Sequence, residues 1–192
     1  MNRNLLSGLA IGVFAGFLAG YFVGASHGGD APAVAAAPAP APAPPGPPRP
    51  NPLELQDRIT AAKQVLAADP NNAQAWITLG NDYFDSQQAQ NAVDAYARAL
   101  VLAPGNPDVL TDQGVMYRQL QDYAKAVADF KLANRLDPKH LQSLFNLGIV
   151  YAADLKQPAE AVKAWNRIIA TDPANPLAEQ ARTAIARLQQ QP

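Results

Sequence analysis

The sequence predicts an all-α protein built from stacked pairs of helices, and three observations lead to this prediction. Apolar residues recur at helical spacing throughout residues 73–175. A glycine falls in the middle of a predicted helix once in every period. The prolines Pro70, Pro104, Pro138 and Pro173 follow one another at intervals of 34, 34 and 35 residues. Self-similarity at this period indicates a solenoid of two-helix units.

Each period repeats one set of residue types at the same spacings. The first unit contains Trp76, Leu79, Gly80, Tyr83, Ala92, Tyr96, Ala99 and Pro104. The second contains Leu110, Gln113, Gly114, Tyr117, Ala126, Phe130, Ala133 and Pro138. The third contains Leu144, Leu147, Gly148, Tyr151, Ala161, Trp165, Ile168 and Pro173. Because glycine inside a helix costs about 1 kcal/mol relative to alanine, its recurrence indicates that a neighbouring helix approaches closely there.

This pattern resembles the tetratricopeptide repeat (TPR) family, whose motif is W-x2-L-G-x2-Y followed by A-x3-F-x2-A and a closing proline. The resemblance implies a TPR solenoid of three repeats, at residues 73–106, 107–140 and 141–175. The third repeat is one residue longer than the others. We expect the additional residue near 155–158, in the turn between the two helices.

Flanking helices extend the predicted solenoid at both ends. Residues 53–72 resemble a lone second helix of a repeat, although Arg58 stands where Ala92 stands in the first repeat. Residues 176–192 predict a C-terminal capping helix with a polar outer face. Its apolar stripe consists of Leu177, Ala181, Ile185 and Leu188. Eight helices are therefore expected, in the order one, three pairs, one.

The N-terminal segment predicts a single transmembrane helix. Residues 5–25 contain no charged side chain, and 21 helical residues span roughly 31 Å, about the thickness of a bilayer core. Arg3 precedes this run and Asp30 follows it, so residues 1–4 are expected in the cytoplasm. The repeats would then lie in the periplasm of a bacterium. The alternative is a secretory signal peptide that is cleaved near Ala25.

Glycine recurs at every fourth position of the predicted membrane helix. The five residues are Gly8, Gly12, Gly16, Gly20 and Gly24. Such a strip allows another helix to approach closely, as in G-x-x-x-G pairs, although glycine is also common in membrane helices in general. The strip predicts helix association in the membrane, either with a second copy of the chain or with another protein.

Residues 26–52 predict a disordered linker. Ten prolines and eight alanines occupy the 22 positions from 31 to 52, a composition that cannot bury a core. Extended polyproline-like conformations would reach at most roughly 70 Å. The linker is expected to hold the repeats away from the membrane, and a docking site for a proline-binding domain is the alternative.

Composition and charge exclude several functional classes. The formal net charge of −1 gives no electrostatic basis for nucleic-acid binding. The chain contains no cysteine, and its two histidines, His27 and His140, have no carboxylate or nucleophile at a spacing typical of a catalytic site. We interpret His140 as a solvated turn residue. The sequence therefore predicts no enzyme, no metal site and no cofactor.

The resemblance to TPR proteins implies a concave groove lined by the first helix of each pair, at positions two, five, nine and twelve. When positions are counted from the first residue of each repeat, the corresponding residues of this chain are Gln74, Ile77, Asn81, Phe84, Asp108, Thr111, Val115, Arg118, Gln142, Phe145, Ile149 and Ala152. Several are apolar, which is typical of a binding surface. TPR proteins that clamp a C-terminal carboxylate use Lys and Asn at such positions. Here only Asn81 matches, and Thr111 replaces an expected Lys, so no clamp is predicted.

Together these features predict a membrane-anchored adaptor that binds a partly apolar peptide in its TPR groove, oriented by Asn81 and Arg118. Anchored TPR proteins of this kind serve cytochrome maturation, secretion-linked chaperoning and envelope biogenesis. The alternative is a self-associating structural oligomer that the glycine strip of the membrane helix holds together.

Overall fold

The computed structural model describes residues 51–190 of the 192-residue chain. The predicted membrane helix at 5–25, its glycine strip, the linker up to residue 50 and the last two residues lie outside the described part. Among the helices of residues 51–190, none combines the length and the apolar character that a membrane span requires.

Eight α-helices and no strand make up residues 51–190, in the predicted order of one helix, three pairs and one helix. Their bounds are α1 Pro52–Ala68, α2 Ala73–Asp85, α3 Ala89–Leu102, α4 Pro107–Gln119, α5 Tyr123–Leu136, α6 Leu141–Ile149, α7 Pro158–Thr171 and α8 Pro176–Gln189. A π-helical turn, Val150–Asp154, continues α6 directly.

Helix ends are specified by local sequence. Asparagine caps four helices, where its side-chain oxygen accepts a hydrogen bond from a backbone N–H of the first turn. These caps are Asn51, Asn72, Asn106 and Asn175. Inside each pair, a three-residue turn contains one residue with positive φ, namely Gln87, Gln121 or Lys156. The two helices of every pair are thus joined by turns of the same kind.

The glycine of each first helix lies against the aromatic residue of its partner helix. Tyr96 and Phe130 are fully buried, and Trp165 is nearly so. A methyl group on Gly114 would lie 2.7 Å from Cε1 of Phe130. The same methyl group on Gly80 or Gly148 would overlap the ring of Tyr96 or Trp165. Glycine at this position therefore permits the close helix pairing that the sequence predicts.

The first helices of successive pairs approach one another directly, as α2 with α4, α4 with α6, and α6 with α8. The second helices are farther apart, and a cavity of about 860 Å³ opens between α1 and α3 beside Trp76. The stack therefore curves with α2, α4, α6 and α8 on its inner side. We call these the inner helices, and α1, α3, α5 and α7 the outer helices.

The additional residue of the third repeat does not lie in the turn, so the expected position at 155–158 is wrong. In each pair a backbone hydrogen bond to a tyrosine carbonyl closes the turn. In the first pair the N–H of Gln88 donates to the carbonyl of Tyr83. In the third pair the bond runs from Gln157 to Tyr151, one residue farther along the chain. The π turn absorbs the insertion inside the helix, as the Leu155 N–H bond to the Val150 carbonyl shows.

Replacing Gly148 with alanine should lower the free energy of unfolding by about 1–3 kcal/mol. The buried indole of Trp165 occupies the space that the new methyl group needs. Urea unfolding followed by circular dichroism measures the change. Helix propensity alone would instead make the alanine variant about 1 kcal/mol more stable. An unchanged or raised free energy of unfolding would therefore contradict this packing argument.

One partly buried carboxylate departs from the repeat pattern. Asp129 of α5 stands where the other two repeats have the buried residues Ala95 and Ala164. Its Oδ2 is buried and has no hydrogen-bond partner within the described residues. Burial raises the pKa of Asp129 to about 7, with a further rise from Asp122 and an opposing effect of Lys125. The folded protein therefore holds this proton more tightly than the unfolded chain does.

Asp129→Ala should raise the free energy of unfolding at pH 8 by about 1 kcal/mol, because it removes a poorly solvated charge. Since the pKa of Asp129 is higher in the folded state, its ionisation lowers stability as pH rises from about 4 to 7. Urea titrations across that range should show a shallower decline for the variant. An exposed change on α3, Asp94→Ala, is the control and should leave the pH dependence unaltered.

Candidate functional site

The predicted groove residues all belong to the inner helices or to the π turn that continues α6. Their exposure differs. Four are exposed, namely Gln74, Asn81, Asp108 and Gln142. Seven are half-buried, namely Ile77, Phe84, Val115, Arg118, Phe145, Ile149 and Ala152. The inner side thus presents polar side chains beside partly covered apolar ones.

Thr111 is an exception, and its prediction as a groove contact is wrong. Its side chain is buried, with 3% relative exposure, and its hydroxyl donates to the Pro107 carbonyl at 2.8 Å. Thr111, at position five of the second repeat, therefore hydrogen-bonds within its own helix, α4, instead of facing the groove.

The two phenylalanines have different surroundings. Phe84 packs against the first core cluster and lines a cavity of about 720 Å³ between the start of α1 and the α2–α3 turn. Phe145 packs against the ring of Trp165, with 6.3 Å between the ring centroids, and its carbonyl accepts a bond from the Trp165 indole N–H. Neither ring is fully buried, and both contribute to packing as well as to the inner surface.

The two residues predicted to orient a peptide are already engaged. Asn81 Oδ1 accepts a hydrogen bond from the Tyr96 hydroxyl at 2.9 Å. Burial, with nearby Asp112, raises the pKa of Tyr96, so this hydroxyl keeps its proton and donates. Arg118 contacts Asp154 through two nitrogens, at 2.5 and 3.3 Å. Asp154 lies in the π turn, so this ion pair joins the second and third repeats.

His140 is not the solvated turn residue that the sequence indicated. It caps α6, where its Nδ1 accepts a bond from the Ser143 N–H at 3.3 Å, and its side chain is only 15% exposed. Since Nδ1 accepts, the proton lies on Nε2, which donates to Asp108 Oδ1 at 2.9 Å. His140 therefore replaces the asparagine cap of the other repeats and also connects to α4.

Asp112 belongs to α4 and is half-buried, and it makes no hydrogen bond to another described residue. Burial raises its pKa to about 6, Asp108 and Asp85 raise it further, and His140 opposes them. The carboxylates of Asp85 and Asp108 are therefore close enough to Asp112 to disfavour its ionisation.

The N-terminal end of the solenoid contains a buried carboxylate with a charged partner. Asp82 is fully buried, and Arg58 of α1 forms an ion pair with it. Burial raises the pKa of Asp82 and Arg58 lowers it, so the guanidinium keeps the charged form accessible. Arg58 occupies the position that Ala92 has in the first repeat, and its ion pair with Asp82 connects α1 to α2.

Charge is divided between the two sides of the three helix pairs. The inner helices of the pairs, α2, α4 and α6, contain together with the π turn five carboxylates and one basic residue, Arg118. These carboxylates are Asp82, Asp85, Asp108, Asp112 and Asp154. The outer helices of the pairs contain six basic residues against three carboxylates. The basic residues, all exposed, are Arg98, Lys125, Lys131, Arg135, Lys163 and Arg167.

Within residues 51–190, no group of three or more histidine and acidic side chains is placed to hold a metal ion. The geometry instead offers a curved, acidic surface with partly covered apolar side chains. Such a surface is suited to holding a polypeptide segment.

The fold and the repeat motif define the chain as a tetratricopeptide repeat protein. A family model described as the cytochrome c-type biogenesis protein H TPR domain matches residues 45–178. Because this match covers well over half of the chain, the chain belongs to that family.

Individual relatives agree with this assignment. The cytochrome c-type biogenesis protein CycH of Pseudomonas aeruginosa is 28% identical over 136 residues, which cover 68% of this chain and 32% of the relative. The chain thus spans about a third of the length of that relative.

Two solved structures are also similar. The crystal structure of MamA superposes with a TM-score of 0.65 at 23% identity, covering 71% of this chain and 79% of MamA, and it shows the fold alone. A structure described as the first TPR of Spaghetti (RPAP3) bound to the HSP90 peptide SRMEEVD has a TM-score of 0.55 at 26% identity. The match covers 62% of this chain and 93% of the RPAP3 chain.

His140→Asn should keep the cap of α6 and lose only the contact with Asp108, which lowers the free energy of unfolding by about 0.5–1 kcal/mol. His140→Ala removes both interactions and should cost about 1–2 kcal/mol. Urea unfolding of the two variants measures the difference. If both variants lost the same free energy of unfolding, the side-chain cap of α6 would contribute nothing to stability.

Proposed function

We propose that this chain is a protein-binding adaptor of cytochrome c biogenesis, and that it holds a polypeptide segment against its inner helices. The observation that carries the proposal is the inner surface itself. Val115, Phe145 and Ile149 are only partly covered on the inner helices, while the polar residues Gln74 and Gln142 of the same helices are exposed. Apolar side chains left open between polar ones are typical of a surface that a partner completes.

The comparisons support the proposal in two ways. Membership of a family named for cytochrome c-type biogenesis suggests the process, and the Pseudomonas relative has the same description. The RPAP3 domain shows that a TPR domain of similar fold can hold a short peptide. TPR folds serve many processes, so the family membership rather than the fold suggests the pathway.

We further propose that residues 5–25 anchor the chain in the cytoplasmic membrane and place the solenoid on the periplasmic side. The support is the uncharged run itself and the order of Arg3 and Asp30 around it. Reactivity of single cysteines introduced at residues 3 and 30 toward a membrane-impermeant reagent would test this orientation.

Photo-crosslinking tests the binding surface. A benzoylphenylalanine residue at Gln142, which is exposed on α6, should crosslink to one defined polypeptide of the cytochrome c assembly machinery in intact cells. The same residue at Lys163, exposed on outer helix α7, is the matched control and should give at least about tenfold less of that product.

Mass spectrometry identifies the product. Equal crosslinking from both positions would contradict binding on the inner side. Products that contain only this chain would favour the self-associating oligomer instead.

A further inference from the structure

We propose that α8 of one copy of this chain docks against α1 and α2 of a second copy, so that α8 and α1 complete a helix pair between the two copies. Among the described residues, α1 is an outer helix without an inner helix of its own, and α8 is an inner helix without an outer one. The inference does not rest on the proposed function, because it concerns a different surface.

A cavity of about 450 Å³ lies between α1 and α2, at the place that an inner helix occupies in a complete pair. Five of its lining residues are Arg58, Ala62, Val65, Ala75 and Asp82. The residues 34 positions later in the chain are all buried where α2 packs against α3 and α4, namely Ala92, Tyr96, Ala99, Val109 and Met116. Val65 is 47% exposed, whereas its equivalent Ala99 is 1% exposed. The cavity therefore has room for one more inner helix.

The sequence of the chain itself does not supply this helix. The repeat period places it at residues 39–51, which contain seven prolines, and proline inside a helix removes a backbone donor and breaks the helix. In addition, α1 begins at Pro52, three residues before the position that corresponds to Ala89, the start of α3. The positions that form the turn of a complete pair are thus helical here. A helix for the cavity must come from another polypeptide.

One buried polar atom in the cavity has no partner. Asp82 is fully buried and lines the cavity, and its Oδ1 forms the ion pair with Arg58. Its Oδ2 has no hydrogen-bond partner among the described residues. Because a buried oxygen without a partner is costly, a donor on an incoming helix would be favourable at this point.

The corresponding face of α8 is uncovered. In the third pair, the side of α6 and the π turn that packs on the outer helix consists of the buried residues Leu144, Leu147, Gly148 and Tyr151. The residues 35 positions later are Glu179, Arg182, Thr183 and Ala186, and all four are exposed. This face of α8 is therefore available for an outer helix.

Side-chain size favours α1 as the partner of α8. Inside each complete pair, a glycine of the inner helix lies against an aromatic ring of the outer helix, as Gly80 lies against Tyr96. At the glycine position α8 has Thr183, whose side chain would overlap such a ring. At the ring position α1 has Ala62, which leaves space for a threonine. The exchange of the small residue between the two helices makes them complementary.

Charge is complementary as well. The two helices of a pair run in opposite directions, so the start of α1 would meet the end of α8. The first half of α1 carries Glu54 and Asp57, and the last turn of α8 carries Arg187. The second half of α1 carries Lys63, and the first turn of α8 carries Glu179. Opposite charges would thus face each other at both ends of the contact.

The contact joins two different surfaces of the same chain, so it is heterologous and each copy can bind one neighbour at α1 and another at α8. The inner helices of successive copies would then follow one another as α6, α8 and the α2 of the next copy. A row of copies would present a longer inner surface than one chain does.

Crosslinking of introduced cysteines tests the contact in the full chain in its membrane, since the natural sequence contains no other thiol. Chains with Val65→Cys and chains with Thr183→Cys, both exposed positions, are coexpressed with different tags and treated with a short bismaleimide. The mixed product should exceed that from Lys131→Cys, exposed on α5, with Thr183→Cys by at least about tenfold.

Two substitutions of exposed alanines on outer helices locate the effect. Ala61→Arg places a long charged side chain in the cavity, and in the Val65→Cys chain it should lower the mixed product about tenfold. Ala128→Arg on α5 makes the same change outside the cavity and should lower the product less than about twofold. Circular dichroism of both variants checks that they remain helical.

Every other pattern of products would overturn the inference. A mixed product no more abundant than that of the Lys131→Cys control would show that α8 does not reach α1. Dimers of Val65→Cys chains in the same amount as the mixed product would indicate a symmetric contact, and linkage of Val65→Cys mainly to a different polypeptide would indicate another occupant. The Gln142 crosslink reports on the proposed function separately, because Gln142 lies on α6 and outside this contact.

Discussion

The contact between a glycine and an aromatic ring inside each helix pair determines the rest of this structure. Gly80, Gly114 and Gly148 each lie where a methyl group would overlap a buried ring. The pairing brings the two helices of each unit close together, and successive pairs pack against one another. The stacking places α2, α4 and α6 side by side, and this row forms the surface proposed to bind a partner.

The sequence predicts the architecture well because the constraint is local and periodic. Each repeat places its glycine, its aromatic residue and its closing proline at fixed separations, so helix order and pairing can be inferred without knowledge of distant contacts. The position of the additional residue could not be inferred in this way. A turn and a helix can both accommodate an insertion, and the local sequence does not distinguish them, whereas the structure has it in the π turn Val150–Asp154.

The groove is predicted less completely, because its properties depend on which side chains of different repeats meet. Arg118 faces Asp154 at a separation of 36 residues, and His140 faces Asp108 at 32. Both separations are close to the repeat length of 34 residues. Because residues about one period apart lie on adjacent units, these separations could have suggested both pairs. The excess of carboxylates on the first helices was also readable from the sequence, but the overall net charge of −1 conceals it.

The separation of charge between inner and outer helices has a consequence for how molecules approach. Opposite charge on two sides of one body produces a transverse dipole moment, and an external field exerts a torque on it. We therefore expect a nearby charged molecule or charged surface to orient the helix pairs before contact, with their inner side toward a cation and their outer side toward an anionic surface.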